Sequence, residues 1–176
     1  RAAGSALPPA FERLVVVDVA PVVYPETLRH KAYIEAVRAL DVSDVGVSRS
    51  ELSRRLAPHV PDQGTRDFLL SNLHVDRDTH QYAWRCDWDA LLANIDDIRG
   101  WNVSPADAAA APLVDLPALF LRGATSMYLN VHSDWPRVAR MFPRAQLVTV
   151  RGANHWVHAD QPDQFVEHVT RFAAVT

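Results

Sequence analysis

Three short runs constrain this chain more than any other feature: Leu14-Val15-Val16-Val17, Ala118-Leu119-Phe120-Leu121 and Gln146-Leu147-Val148-Thr149-Val150. A strand with one face in water alternates polar and apolar residues. One that is nearly continuously apolar is buried on both faces, as in a parallel sheet with helices on either side. All three runs are therefore expected to be buried parallel strands. Between the second and third, Ser133-Asp134-Trp135-Pro136 supplies an N-cap and an early Pro for a helix reaching about Phe142, which makes a βαβ unit. After the third, Asp160 and Pro162 open a last helix in which Phe165, Val166, Val169 and Phe172 recur at helical spacing. Strand, helix, strand, loop and helix in this order describe one end of a doubly wound α/β sheet.

The long middle, residues 20–112, has helical patterns and no convincing sheet strand. Glu26 to Leu40 carries Ile34, Val37 and Leu40 along one side, and Ser48-Arg49-Ser50-Glu51 has capping-box spacing ahead of Leu52 and Leu56. Further helices are expected over Thr65 to Leu73 and over Trp88 to Ile98, the latter capped by Asp87. Tyr82-Ala83-Trp84 reads as a short extended connector. Ala106 to Ala111, between Pro105 and Pro112, reads as a helical turn or the hinge returning to the sheet. The expected organisation is thus 1–19 as the start of a core, 20–112 as a helical insertion and 113–176 as the end of the core.

A strand as apolar as Leu14 to Val17 belongs in a sheet interior, with partners on both sides. Only two other parallel strands are legible, so the chain reads as the C-terminal part of a larger fold, with another polypeptide segment covering that strand. Composition narrows the function. The net charge of −3 and the scattered basic residues, of which only Lys31 is a lysine, give no footprint for nucleic acid or anionic membrane. The single Cys86 excludes an internal disulfide framework and a thiolate metal cluster, and fits a reducing compartment. No apolar stretch approaches the roughly 20 residues that span a bilayer, and no nucleotide or phosphate-binding motif implies a cofactor.

Chemistry gathers at the carboxyl ends of the strands, where open α/β sheets place their reactive groups. His155 lies in the Gly152 loop just after Val150. It is either a general base or a histidine bonded to a neighbouring carbonyl. His158 is expected to be structural, and the two histidines lack a third ligand of suitable spacing for a metal. A general-base His needs an orienting carboxylate. The loop after the penultimate strand, Gly123 to Leu129, contains no acid, but Asp18 closes the first strand. A carboxylate there needs a partner, because burying it alone is costly. Asp18 is either the partner of His155 or a loop-capping residue bonded to backbone amides before Pro21.

Five blocks in order carry a resemblance: Val15-Val16-Val17-Asp18-Val19-Ala20-Pro21, Phe68 to Leu73, Tyr82-Ala83-Trp84-Arg85, Leu119 to Gly123 with Ser126 and Tyr128, and Gly152-Ala153-Asn154-His155-Trp156-Val157-His158-Ala159. Together they resemble α/β-hydrolases of the abhydrolase domain-containing protein eleven type and their bacterial esterase relatives. The resemblance implies the C-terminal half of an α/β-hydrolase fold, with about three parallel strands, flanking helices and a helical cap insertion. It implies Asp18 as catalytic acid and His155 as base. It also implies an intracellular setting, mitochondrial in a eukaryote and cytoplasmic in a bacterium. Phe68, Trp84, Trp88 and Trp156 would line an apolar acyl pocket, or serve as core.

The departure from the family is the nucleophile elbow, since no Gly-x-Ser-x-Gly occurs in the sequence. Two functions stay open. One is the acid and base half of a serine esterase or thioesterase acting on small acyl esters. The nucleophile would then sit on an N-terminal half supplied by a separate or cleaved chain. The other is a catalytically inactive subunit kept as a scaffold or binding module. On either reading the 176 residues by themselves are expected to have no hydrolase activity.

Overall fold

The computed structural model describes residues 11–25, 29–44, 46–101 and 115–174. The hinge expected at Ala106 to Ala111 falls outside them. The described residues separate into two compact units, one drawn from Arg1–Val23 with Trp101–Thr176 and the other from Tyr24–Gly100.

The first unit is built on a parallel sheet of three strands, β1 (Leu14–Val17), β4 (Ala118–Gly123) and β5 (Ala145–Val150), in the order β1-β4-β5. Leu14 pairs with Ala118 and Val17 with Leu121, while Ala118 pairs with Ala145 and Gly123 with Val150. β4 and β5 therefore finish level, and β1 ends opposite Leu121, two residues before the end of β4. Strand alternation then sorts the side chains of β4. Ala118 and Phe120 pack on one face with Leu129, Val138, Met141 and Phe142, the side of helix α6 (Trp135–Met141). Leu119 and Leu121 pack on the other with Val150, Ala153, Val157 and Phe172, the side of α7 (Val157–Asp160) and α8 (Pro162–Ala174). Helices on both faces explain why β4 has no polar stripe.

The expectation that all three strands are buried on both faces holds for β4 alone. Among the described residues β1 pairs only with β4, and β5 only with β4, so both are edges. Val15 in β1 is 36% exposed. Two helical details differ too. Asp134 does not cap α6 through its side chain; its carboxylate instead accepts from the Asn130 amide at 2.8 Å and the Ser133 hydroxyl at 2.8 Å. Val166, expected on the apolar side of α8, is exposed, because the packed stripe runs through Phe165, Val169 and Phe172.

The second unit holds α1 (His30–Arg38), α2 (Arg49–Leu56), α3 (Gln63–Leu70), a hairpin of β2 (Leu73–Val75) and β3 (Tyr82–Trp84), α4 (Trp88–Ala93) and α5 (Ile95–Arg99). Its core gathers Ile34, Val37, Leu52, Leu56, Val60, Leu69, Leu70, Leu73, Trp88 and Ile95. Two N-caps follow the sequence signals, Ser48 accepting from the Glu51 amide and Asp87 from that of Ala90; α3 begins at Gln63, not Thr65, because Asp62 caps it through the Thr65 amide. The hairpin corrects two expectations. Leu73 begins β2 rather than ending a helix, and Tyr82 to Trp84 pairs antiparallel with it instead of running as a connector. An Asp76 turn organises the return, its carboxylate accepting from the amides of Asp78 and Thr79. The single helix expected over Trp88 to Ile98 is two, broken at Asn94. At the neck of this unit the Tyr24 amide donates to the Arg99 carbonyl at 2.9 Å, and the Arg99 guanidinium donates back to the Tyr24 carbonyl at 3.1 Å.

Candidate active site

The site is assembled where the three strands end. The Asp18 amide donates to the Leu121 carbonyl at 2.7 Å, carrying the β1 pairing one residue further. The backbone then turns left-handed, with φ 52° at Asp18. Few side chains other than glycine tolerate that region, and aspartate is among them. The carboxylate is fully buried and meets three donors. Its Oδ1 accepts from the Gly123 amide at 2.9 Å. Its Oδ2 accepts from the Ser126 hydroxyl and contacts His155 Nδ1 at 2.8 Å. These hydrogen bonds offset the cost of burying the carboxylate. Of the two sequence alternatives for Asp18, the contact with the histidine is made, and the backbone amide it binds is that of Gly123 at the end of β4.

The partner at Nδ1 fixes what His155 can do. An ionised carboxylate only accepts, so neutral His155 facing it carries its proton on Nδ1 and keeps the lone pair on Nε2. The side chain is 37% exposed, so the ring is open to a reactant while its acid is sealed. An imidazole in this state can take a proton at Nε2, and the buried carboxylate steadies the cation formed.

Two loops hold the pair in register. After β5, Gly152 adopts φ +77°, and the Asn154 amide donates to Asp160 Oδ2 at 2.7 Å, tying the His155 loop to the end of α7. After β4, the Ala124 amide donates to the Val150 carbonyl, while the Thr125 amide and hydroxyl both donate to the Ala153 carbonyl at 3.2 Å. Gly123 is required by closeness. A Cβ there would lie 2.0 Å from the Asn154 carbonyl oxygen.

The loop without an acid proves to be the loop that serves the acid. Gly123 and Ser126 donate to Asp18, the Tyr128 amide donates to Ser126 Oγ at 3.2 Å, and the Tyr128 ring stacks on His155 with centroids 3.7 Å apart and planes 19° from parallel. Sequence reasoning assigned no role to these three residues. The available signal was a hydroxyl and a strand-end glycine in the loop where an acid was sought. Ser126 is not placed as a nucleophile toward the histidine, because it is buried and its hydroxyl donates to Asp18.

The remaining candidates are placed as follows. His158 is exposed on α7 and packs edge-on against Phe165. Phe68 is exposed on α3. Trp88 is buried in the core of the helical unit, and the half-buried Trp84 meets it edge-on with centroids 5.5 Å apart. Trp156 is half-buried immediately before α7. Among the described residues no group of three or more His, Cys, Asp or Glu could hold a metal ion, and no helix is long and apolar enough to cross a membrane.

No family model matches the chain. Curated relatives do. The mouse protein named sn-1-specific diacylglycerol lipase ABHD11 is 34% identical over 170 residues, which is 95% of this chain and 52% of that protein. The zebrafish protein of the same name is 32% identical over 94% of this chain and 50% of its own length. Esterase YbfF of Escherichia coli is 32% identical over 92% of this chain and 58% of its own. The chain thus spans about half the length of the curated relatives it matches. Among solved structures, a marine microorganism esterase aligns with a TM-score of 0.79 and 32% identity, over 92% of this chain and 60% of that one. A solved E-2-(acetamidomethylene)succinate hydrolase, 21% identical with a TM-score of 0.62, shares the fold. With helices on both sides of a parallel sheet, and with esterases and lipases as its homologues, the chain belongs to the α/β-hydrolase superfamily.

Proposed function

We propose that this chain supplies the acid and the base of a serine hydrolase that cleaves carboxylic esters or thioesters of small acyl groups. The observation that carries the reading is the contact between fully buried Asp18 and half-open His155 at 2.8 Å, bridging residues 137 apart in sequence. His155 Nε2 takes the proton of the attacking serine hydroxyl and returns it to the leaving group. Asp18 holds the ring in the tautomer that allows both steps. Such acid–base catalysis is usually worth roughly 10²- to 10⁴-fold.

The nucleophile and the oxyanion-hole amides would come from polypeptide outside these 176 residues, on a segment pairing with the open edge of β1. Two observations support this: the absence of a Gly-x-Ser-x-Gly turn from the sequence and, among the described residues, the single pairing of β1. Relatives of which this chain spans 52% and 58%, named as a lipase and an esterase, support the ester substrate. The helical unit would correspond to the family's cap, with Phe68 and Trp84 as its candidate acyl-binding side chains, and Trp156 is the candidate of the sheet unit, next to His155 in the chain. Trp88 would stiffen that surface from the core of its unit.

The test is His155→Ala in the full protein, assayed with p-nitrophenyl esters and with a fluorophosphonate that labels activated serines. Loss of turnover and of labelling is expected. Labelling at Ser126, or turnover surviving in His155→Ala, overturns the reading.

A further inference from the structure

The Asp18 contact leaves one freedom of His155 unrestrained. A single hydrogen bond at Nδ1 fixes the position of that nitrogen, but the ring can still swing about the contact and carry Nε2 away from a reactant. The side chain is 37% exposed, so burial alone does not prevent the swing. The Tyr128 ring lies against one face of the imidazole, 3.7 Å between centroids and 19° from parallel. Its backbone is fixed independently, by the amide bond to Ser126 Oγ, and Ser126 in turn donates to the same Asp18 Oδ2 that meets His155. Acid, hydroxyl, tyrosine and base thus form a closed circuit.

We propose that Tyr128 is a positioning residue for His155: its ring sets the plane of the imidazole and so the direction of Nε2. This rests on the reading of His155 as general base. The ring, not the phenol hydroxyl, does the positioning, so phenylalanine should replace it and a non-aromatic side chain of similar apolar character should not. The anchoring bond to Ser126 comes from the backbone and survives any substitution except proline.

The experiment compares Tyr128→Phe and Tyr128→Leu in the full protein, alongside His155→Ala, with p-nitrophenyl butyrate as probe and NMR of the His155 ring protons as an independent readout. Tyr128→Leu should lower kcat about 10- to 100-fold with KM little changed, the scale set by a misplacement of about 1 Å at a reacting group. Tyr128→Phe should retain most of kcat. The stacked aromatic ring shifts the His155 ring protons upfield; that shift should persist in Tyr128→Phe and vanish in Tyr128→Leu. An unchanged kcat in Tyr128→Leu overturns the proposal, as does an equal loss in both variants or a change confined to KM. If His155→Ala remains active, the general-base reading fails, and the ring shift alone then decides whether Tyr128 orients the imidazole.

Discussion

Replacing Gly123 with alanine tests the tightest contact in the site. The added Cβ would lie 2.0 Å from the Asn154 carbonyl oxygen, 2.6 Å from its carbon and 2.8 Å from the Ala153 carbonyl oxygen. All three are backbone atoms, so no side chain can rotate out of the way. To reach an ordinary contact of 3.4 Å the nearest separation must open by about 1.4 Å. If the loop after β5 yields, His155, which follows Asn154 directly, is carried with it, and its 2.8 Å contact with Asp18 stretches toward about 4 Å, beyond hydrogen-bond reach. If the end of β4 yields instead, the 2.9 Å bond from the Gly123 amide to the buried Asp18 carboxylate is lost. Either route combines overpacking, about 1 to 3 kcal/mol, with damage to a charged hydrogen bond, about 1.5 to 3 kcal/mol. Gly123→Ala should therefore destabilise the protein by about 2.5 to 6 kcal/mol in urea unfolding. The folded fraction should lose at least about 100-fold in ester turnover, as expected for a reacting group displaced by 1 Å. A variant with the parental unfolding midpoint and parental turnover refutes the claim that this approach sets the distance between acid and base.

Asp18→Asn keeps a residue that tolerates the left-handed backbone but removes the charge and offers a donor toward Nδ1; turnover should fall about 10⁴-fold with circular dichroism unchanged, and a small loss would remove Asp18 from the mechanism. His158→Ala should leave most of the activity that His155→Ala abolishes, since His158 packs against Phe165; equal losses in parallel assays would contradict the assignment. Asp62→Ala should cost about 1 kcal/mol in thermal unfolding by removing the N-cap of α3. The Asp62 carboxyl is held below its ordinary value by the Thr65 hydroxyl and then by the Thr65 amide. Its contribution is thus complete above the ordinary aspartate range and fades as pH falls through the depressed folded value. Asp62→Asn, which keeps the cap without the charge, should lose that acid dependence; an unaltered pH profile would show that the carboxylate is not its source.

The fold was legible where burial writes itself directly into residue type. β4, packed on both faces, is apolar at every position that the sequence singled out, and Ser48 and Asp87 cap helices because their side chains reach the first free amides. The hairpin was not legible. Leu73 to Val75 is only three residues long, and its pairing with Tyr82 to Trp84 depends on the Asp76 turn rather than on any period in the strands themselves. The site divides in the same way. Asp18 stands out because a charge ends an apolar strand, and His155 because it follows a strand at a glycine loop. Ser126 and Tyr128 are short-range residues in an ordinary loop, and their roles arise only when β4 and β5 finish level and bring two distant loops into contact.

The two bonds between Tyr24 and Arg99 close the helical unit at its neck. A chain that leaves and returns at one point adds an excursion, whatever its length, without changing the spacing of the strands on either side. Residues within Tyr24–Gly100 can therefore be lengthened, shortened or exchanged while β1 and β4 keep their register and Asp18 keeps its distance from His155. The closure of the helical unit and the register of the sheet thus rest on separate contacts.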